Sequence, residues 1–295
     1  MTNSERDVLA AGIAKKHMRK NFWQRFWNVI FCLVFMLFNY LYFTRTLSFK
    51  TLMAYDITCL VYLLAGKVTR FTRAVSLENI ISIDCDPYTY TKVFSLQKEK
   101  HKKNKDTTIR LANGLFYLGE YEQAYETLTS VDMKNCNTVM KFSYYTVLVK
   151  CCYCLEKPEG IKEAYSFFAE ISKTKNNRAR LKKLADSWLE SMDAKQQLAN
   201  KNYVEYEEWL KKATLAAKAP YEKVLRCCSW AKYNFELNRF ESAKALCEEI
   251  IKNGNTLFCV KEARELLEKI ALKEQNQINI PALGDADVTE VNTGK

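Results

Sequence analysis

Glycine and proline are scarce in this chain, 8 and 4 of 295 residues. A β-sandwich or barrel needs turn residues at every reversal, so their scarcity excludes a loop-rich β protein and points to long helices. Histidine is rarer still, with His17 and His101 the only two. No histidine-based zinc spacing can be drawn from them, nor a Cys–His nucleophile pair. A glycine-rich loop that could cradle phosphate is also missing. No enzyme class finds its constellation here, so the reading is non-catalytic, with no cofactor and no metal. The eleven cysteines are an odd number and fit reduced cytosolic thiols better than a disulfide framework. On a helix Cys151 and Cys154 of the run Cys151-Cys152-Tyr153-Cys154 share a face and could hold a soft metal. Packing is the reading adopted, because cysteine is a small apolar residue and Cys227-Cys228 recurs in a comparable segment.

Charge is absent from one long stretch. Phe26–Phe43 (FWNVIFCLVFMLFNYLYF) has only Asn28 and Asn39 as clearly polar residues. At about 1.5 Å per residue this helix approaches the roughly 30 Å hydrocarbon layer. A second apolar run, Leu52–Gly66, follows the short interruption TRTLSFKT and is weakened by Asp56 and by Lys50 at its border. Residues 26–68 are therefore predicted to form a transmembrane hairpin of two helices. Lys15, Lys16, Arg19, Lys20 and Arg25 precede it and Lys67, Arg70 and Arg73 follow, against Arg45 and Lys50 in the turn. The excess of Lys and Arg on the outer flanks places both termini in the cytoplasm. A cleaved signal peptide is the alternative for the first run; its length, the lack of a small-residue cleavage site and the second apolar segment argue against it. For Leu52–Gly66 the alternative is a buried or re-entrant segment. Asp56 sits near the turn, within reach of interfacial water or Lys50, and two helices enclose no ion route.

The net charge of +11 is unevenly placed. Residues 1–105 carry 17 Lys/Arg against 7 Asp/Glu, and residues 106–295 carry 28 against 27. Topology and anionic headgroups account for a basic membrane-proximal part, and nucleic acid is not expected as a partner, although Lys98–Lys105 (KEKHKKNK) would attract any polyanion.

Residues 1–25 read as a cytosolic, basic, amphipathic segment, with Ser4 and Asp7 resembling a capping box and a surface helix over Glu5–Lys20. Its His17 reads as a solvated interfacial residue. Residues 69–104 read as a helical linker. Ser76 can cap a short helix, with an IISID strand as the alternative, and Asp86-Pro87 is a strong helix start. The DCDP group is read as that cap rather than a metal site.

Residues 105–273 repeat themselves. Gly119–Leu128, Glu159–Phe168, Lys201–Leu210 and Asn238–Cys247 share a pattern with leading residues Tyr121, Ile161, Tyr203 and Phe240 and shared anchors Ala124, Ala164, Tyr206 and Ala243. The steps between anchors are 40, 42 and 37 residues. Such a period, with two helical patterns per unit, means stacked helix pairs. Ala112, Cys152 and Ala231 are the small residues expected where paired helices approach closely, and Gly119 ends the first helix. A last helix over about Leu257–Lys273 would cover the open end of the stack. Residues 274–295 lack periodicity and are expected to be a disordered tail.

The stretch LANGLFYLGEYEQAYETL resembles the tetratricopeptide family: a small residue, a glycine before an aromatic, and alanine three residues after it. The second unit and the latter half of the fourth follow the pattern; the third departs, with Tyr206 in place of alanine. With the two-span start, the whole resembles the membrane-bound tetratricopeptide proteins of many bacteria, which implies an integral protein of the bacterial inner membrane. The resemblance implies an all-α fold, an N-terminal transmembrane hairpin followed by a tetratricopeptide-like α-solenoid, whose first helices line a concave groove for a protein or peptide. On that reading the partner-binding residues are Asn113, Phe116, Tyr117, Tyr153, Lys232 and Phe235. Chaperone-binding members hold a peptide's terminal carboxylate with asparagines and basic residues; Asn113 matches one such position, and Lys150 stands where a second asparagine is expected. The expected function is a membrane-tethered adaptor or scaffold that gathers a protein partner at the bilayer, with lipid contacted by the hairpin. The rival is a membrane-remodelling or anionic-lipid-contact protein that uses the hairpin and the basic linker.

Overall fold

The computed structural model describes residues 1–45, 48–174 and 179–278. Among them there are twelve α-helices and no strand. The first two, α1 (Asn3–Phe43) and α2 (Phe49–Ser82), are much longer than the segments expected from the sequence. The separate surface helix over Glu5–Lys20 does not exist. Neither glycine nor proline lies between Lys20 and Phe26, so the amphipathic start runs straight into the apolar run. The boundary between residues 25 and 26 therefore falls inside α1, and that between 68 and 69 falls inside α2. The cap of α1 is Thr2, not Ser4: Glu5 N–H donates to Thr2 Oγ1 at 3.3 Å while Thr2 N–H donates to Glu5 Oε2 at 2.7 Å. Ser76 lies inside α2 and does not cap it, and the IISID segment, the strand alternative, forms the end of α2 and the turn after it.

The two helices run antiparallel. Phe31 stacks on Tyr62 with ring centroids 3.9 Å apart and Phe38 on Tyr55 at 4.2 Å, pairs separated by about two turns on each helix. Both are long and apolar enough to cross a membrane, and 0% and 6% of their most apolar windows is buried.

The N-terminal half of α1 has a second role. Ala10 and Ala14 are buried on α3 (Pro87–Lys100), where Asp7 accepts from Tyr88 Oη at 3.1 Å and pairs with Lys92 at 3.4 Å. Small side chains at that spacing let the two helix backbones close up, so this face belongs to the main core. The Asp86-Pro87 helix start is as read. Asp86 accepts from Thr89 N–H at 3.1 Å and Thr89 Oγ1 at 2.7 Å, and proline occupies the first turn. Its carboxylate also receives Thr256 Oγ1 at 3.0 Å and faces Arg6 at 3.7 Å, which ties α1, α3 and the turn before the last helix together.

The remaining helices, α4 (Lys105–Leu118), α5 (Tyr121–Thr129), α6 (Thr138–Cys154), α7 (Pro158–Lys173), α8 (Ala179–Ala199), α9 (Tyr203–Ala216), α10 (Pro220–Glu236), α11 (Phe240–Asn253) and α12 (Phe258–Ile278), each pack on the next. The four repeated segments open α5, α7, α9 and α11. Ala124, Ala164 and Ala243 are fully buried, as are the facing small residues Ala112, Cys152 and Ala231. Gly119 ends α4 at φ 89°, a left-handed backbone that residues with a Cβ adopt only under strain. In the third unit Tyr206 fills the alanine position without a clash, because its ring packs against Tyr233 at 5.6 Å.

The far end differs from the expectation. Rather than only covering the last unit, α12 returns to the first. Phe258 meets Phe116 and Tyr121 at 5.6 and 5.9 Å, and Tyr221 of α10 meets Tyr117 at 5.8 Å. One core therefore joins α1–α6 to α10–α12, while α6–α8 and α8–α10 enclose two smaller ones. Helix continues through residues 274–278 of the expected tail, and residues 279–295 lie outside the described residues.

Candidate functional site

The approach of α10 to α4 borders an open cavity of about 990 Å³ between α4, α6, α8, α9, α10 and the end of α2. Its wall is built by simple helical spacing. Asn113 and Tyr117 lie one turn apart on α4, as do Thr146 and Lys150 on α6 and Tyr221 and Leu225 on α10. Trp188 of α8 and Trp209 of α9 complete an aromatic lining.

Four cations and four carboxylates line it; Lys212 is exposed, and two of the cations, Lys150 and Arg226, rest on aromatic rings. Lys150 donates to Tyr117 Oη at 2.9 Å and to Asn113 Oδ1 at 3.4 Å, and its ammonium stands 4.7 Å from the centre of the Tyr117 ring and 5.8 Å from that of Trp188. Burial lowers its pKa, against the favourable pull of Tyr221. Arg226 lies 5.1 Å over Trp209, and burial lowers its pKa too. Among the described residues neither cation forms an ion pair. Arg110, on the same wall, is neutralised by Glu78 and Asp106. The Thr146 hydroxyl is buried without a hydrogen-bond partner among the described residues. Half-buried cations resting on aromatic faces and an orphaned hydroxyl are groups that an anion with an apolar or aromatic neighbour would satisfy.

The residues singled out in the sequence are not brought together. Asn113 and Tyr117 reach this cavity. Phe116, three residues from Asn113, is outside the lining and 7% exposed; it packs on Phe258 and Tyr121, with the Lys150 ammonium 5.6 Å from its ring centre. Tyr153 lies under the Lys195 ammonium at 3.9 Å, and Lys232 is paired with Glu262 at 2.8 Å, both outside the cavity lining. Phe235 sits with Phe240 and beneath Lys273. Phe116 thus packs between α4, α5 and α12, and Phe235, half-buried, between α10, α11 and α12.

Trp188, Trp209, Tyr221 and Arg226 were not singled out in the sequence. For α10 the reading followed its C-terminal half, whereas the half that faces inward is N-terminal. The signal available was the Tyr221, Leu225 one-turn spacing, which repeats that of Asn113 and Tyr117. Among the described residues no group of three or more His, Cys, Asp or Glu is placed to hold a metal ion. No protein-family model, no curated protein and no solved structure matches the chain.

Proposed function

We propose that the chain is a non-catalytic membrane-tethered adaptor of tetratricopeptide type. In this reading α1 and α2 cross the bilayer with both ends in the cytoplasm, the membrane being the bacterial inner membrane. From α4 onward the helices form a curved stack of pairs. The apolar windows of α1 and α2 support the first part, since a bare surface of that size is otherwise rare in soluble proteins. The partner is a protein segment carrying a carboxylate beside an apolar or aromatic side chain. It enters the inner cavity and is held by Lys150, Arg226 and Asn113, with Tyr117 and the tryptophans supplying contact area. The observation that carries this is the pair of cations, without ion pairs among the described residues, on an aromatic wall. Confinement at the bilayer raises the partner's local concentration without adding contacts.

A photoreactive amino acid in place of Leu184, which is exposed on the cavity rim, tests the reading in cells. Partner adducts should form with the otherwise native chain and fall sharply with Lys150→Met and Arg226→Met. Adducts of equal yield in those variants would place recognition elsewhere.

A further inference from the structure

A second cleft, of about 880 Å³, lies at the foot of the hairpin between α1, α2 and the turn from α3 to α4. On α2, Arg70 and Arg73 stand four and seven residues beyond Gly66, roughly 6 and 10 Å past the end of the apolar run. On α1, Asn21 is five residues before Phe26, about 7 Å on the same side. With the hairpin in a bilayer, this is the depth of the headgroup layer, which adds roughly 5–8 Å to each side of the hydrocarbon.

The two arginines here are held by neutral groups, and their charges are not cancelled. Arg73 donates to Asn21 Oδ1 at 2.8 Å and to Gln24 Oε1, and its Nε donates to Thr69 O at 3.0 Å; all three partners are neutral. Arg70 faces Asn28, whose amide oxygen accepts from it at 3.1 Å in the orientation that satisfies both groups. Opposite them, Lys100, Lys102 and Lys103 line the other wall and make no ion pair among the described residues. Of the two carboxylates on the lining, Asp106 is engaged by Arg110, leaving Glu99 against five cations. Fixing several like charges around an open cleft is costly unless an anion occupies it. The two arginines also present N–H groups suited to phosphate oxygens.

We propose that this cleft binds the phosphate of an anionic phospholipid, drawn from the surrounding leaflet, between Arg70 and Arg73 on one wall and Lys100, Lys102 and Lys103 on the other. This rests on the reading of α1 and α2 as membrane spans. The bound headgroup ties the hairpin to α3 and α4, and so fixes the helical domain, with its inner cavity, against the bilayer.

The test uses the full chain in detergent micelles with fluorescent phosphatidylglycerol, competed by phosphatidylcholine and by inorganic phosphate. Phosphatidylglycerol should bind at least about tenfold tighter than phosphatidylcholine, the preference expected when even a few charges discriminate. Each double variant, Arg70→Gln with Arg73→Gln or Lys102→Gln with Lys103→Gln, should weaken it roughly thirtyfold, two charges at about fivefold each. The second pair sits on an exposed turn, so its loss of binding with unchanged helicity supports the site even if the first variant misfolds. Equal binding of phosphatidylcholine, or unchanged affinity in the lysine variant, overturns the proposal. Displacement by inorganic phosphate at matched concentration also overturns it, in favour of a soluble anion. Alkaline carbonate extraction is read separately: release of the chain without detergent refutes the spans themselves, whereas a retained chain without lipid preference refutes only the cleft.

Discussion

Two glycines allow the packing of α4 to be tested by one chemical change with opposite expected signs. Gly12 lies in α1, and no atom comes within 4 Å of where its Cβ would be. Gly114 lies in α4 against α3. There a Cβ would run into Thr91 Oγ1 and stand 3.0 Å from Tyr90 Cδ1 and 3.3 Å from Thr91 Cα. Replacing glycine by alanine inside a helix gains roughly 0.5–1 kcal/mol, because less backbone entropy is lost on folding. At Gly12 nothing opposes that gain. At Gly114 the Thr91 hydroxyl can rotate away, but Tyr90 is 1% exposed and Thr91 Cα is backbone, so α3 and α4 must part. Overpacking of this kind costs about 1–3 kcal/mol. Gly114→Ala should therefore be destabilising by about 1–2 kcal/mol after the propensity gain is subtracted. For a chain of this size each kcal/mol moves Tm by about 2–4 °C. Thermal melts of the full chain in detergent, followed by far-ultraviolet circular dichroism, should show Gly12→Ala melting slightly above the parent and Gly114→Ala several degrees below. A Gly114→Ala protein that melts at or above the parent would refute the close approach of α3 and α4.

Gly119→Ala should cost about 1–2 kcal/mol, because the left-handed backbone at φ 89° is retained while a Cβ is added 3.3 Å from that of Phe258; an unchanged melt would mean the α4 end can re-form without that backbone. Asp86→Ala should cost about 2 kcal/mol, since it removes a helix cap and strands Thr256 and Thr89 together, and chemical denaturation would show it as a lower midpoint. Ala124→Leu and Ala164→Leu should each destabilise by about 1–3 kcal/mol at fully buried sites, while Lys173→Ala on the surface stays within about 0.5 kcal/mol; equal melts for all three would break the proposed register. Burial, then the charges of Arg73 and Arg110, hold the His17 pKa below its ordinary value of 6.5. Protonation thus favours the unfolded chain, so stability is fully present above pH 6.5 and declines as pH falls below it. Urea midpoints measured across that range should fall less steeply in His17→Gln, and an identical slope would remove His17 as the cause.

Most helix boundaries were legible because they are set locally. Asp86-Pro87, Gly119 and the alanine anchors act through their own turn or the next helix, so their chemistry shows in a short window. The unbroken length of α1 was legible in principle, since no breaker lies between Lys20 and Phe26, but the change from amphipathic to apolar composition suggested a boundary that the backbone does not make. The second role of Ala10 and Ala14 was hidden for a different reason. Two alanines one turn apart signal a close helix approach without saying which helix approaches. The same holds at the far end. Phe116 and Phe258 are separated by most of the repeat region, and nothing near either residue marks the other as its neighbour. An aromatic on a first helix, such as Phe116, looks the same in sequence whether a partner or α12 covers it.

The inner cavity shows why a site of this kind escapes a reading by motif. Arg110 and Arg226 have the same local setting, each with a carboxylate one turn earlier on its own helix, Asp106 and Glu222. Such a pair is ordinarily a weak surface salt bridge of about 0.3–0.5 kcal/mol. On α4 the pair forms, at 2.9 Å, and Glu78 arrives from α2 to complete the neutralisation of Arg110. On α10 it does not, because Glu222 lies in the first turn and bends back to accept the N–H groups of Lys218 and Ala219 at 2.9 and 3.1 Å. Both N–H groups lie just outside the helix with no partner in it, and the Glu222 carboxylate, three residues past the cap, takes them. Arg226 is left to rest on Trp209, without a carboxylate ion pair among the described residues, on the same cavity lining as Lys150. Its availability for an anion follows from the use of Glu222 by the backbone at the start of α10. A residue type tells which charge can be offered, and the claims of the neighbouring backbone decide whether it is spent at home.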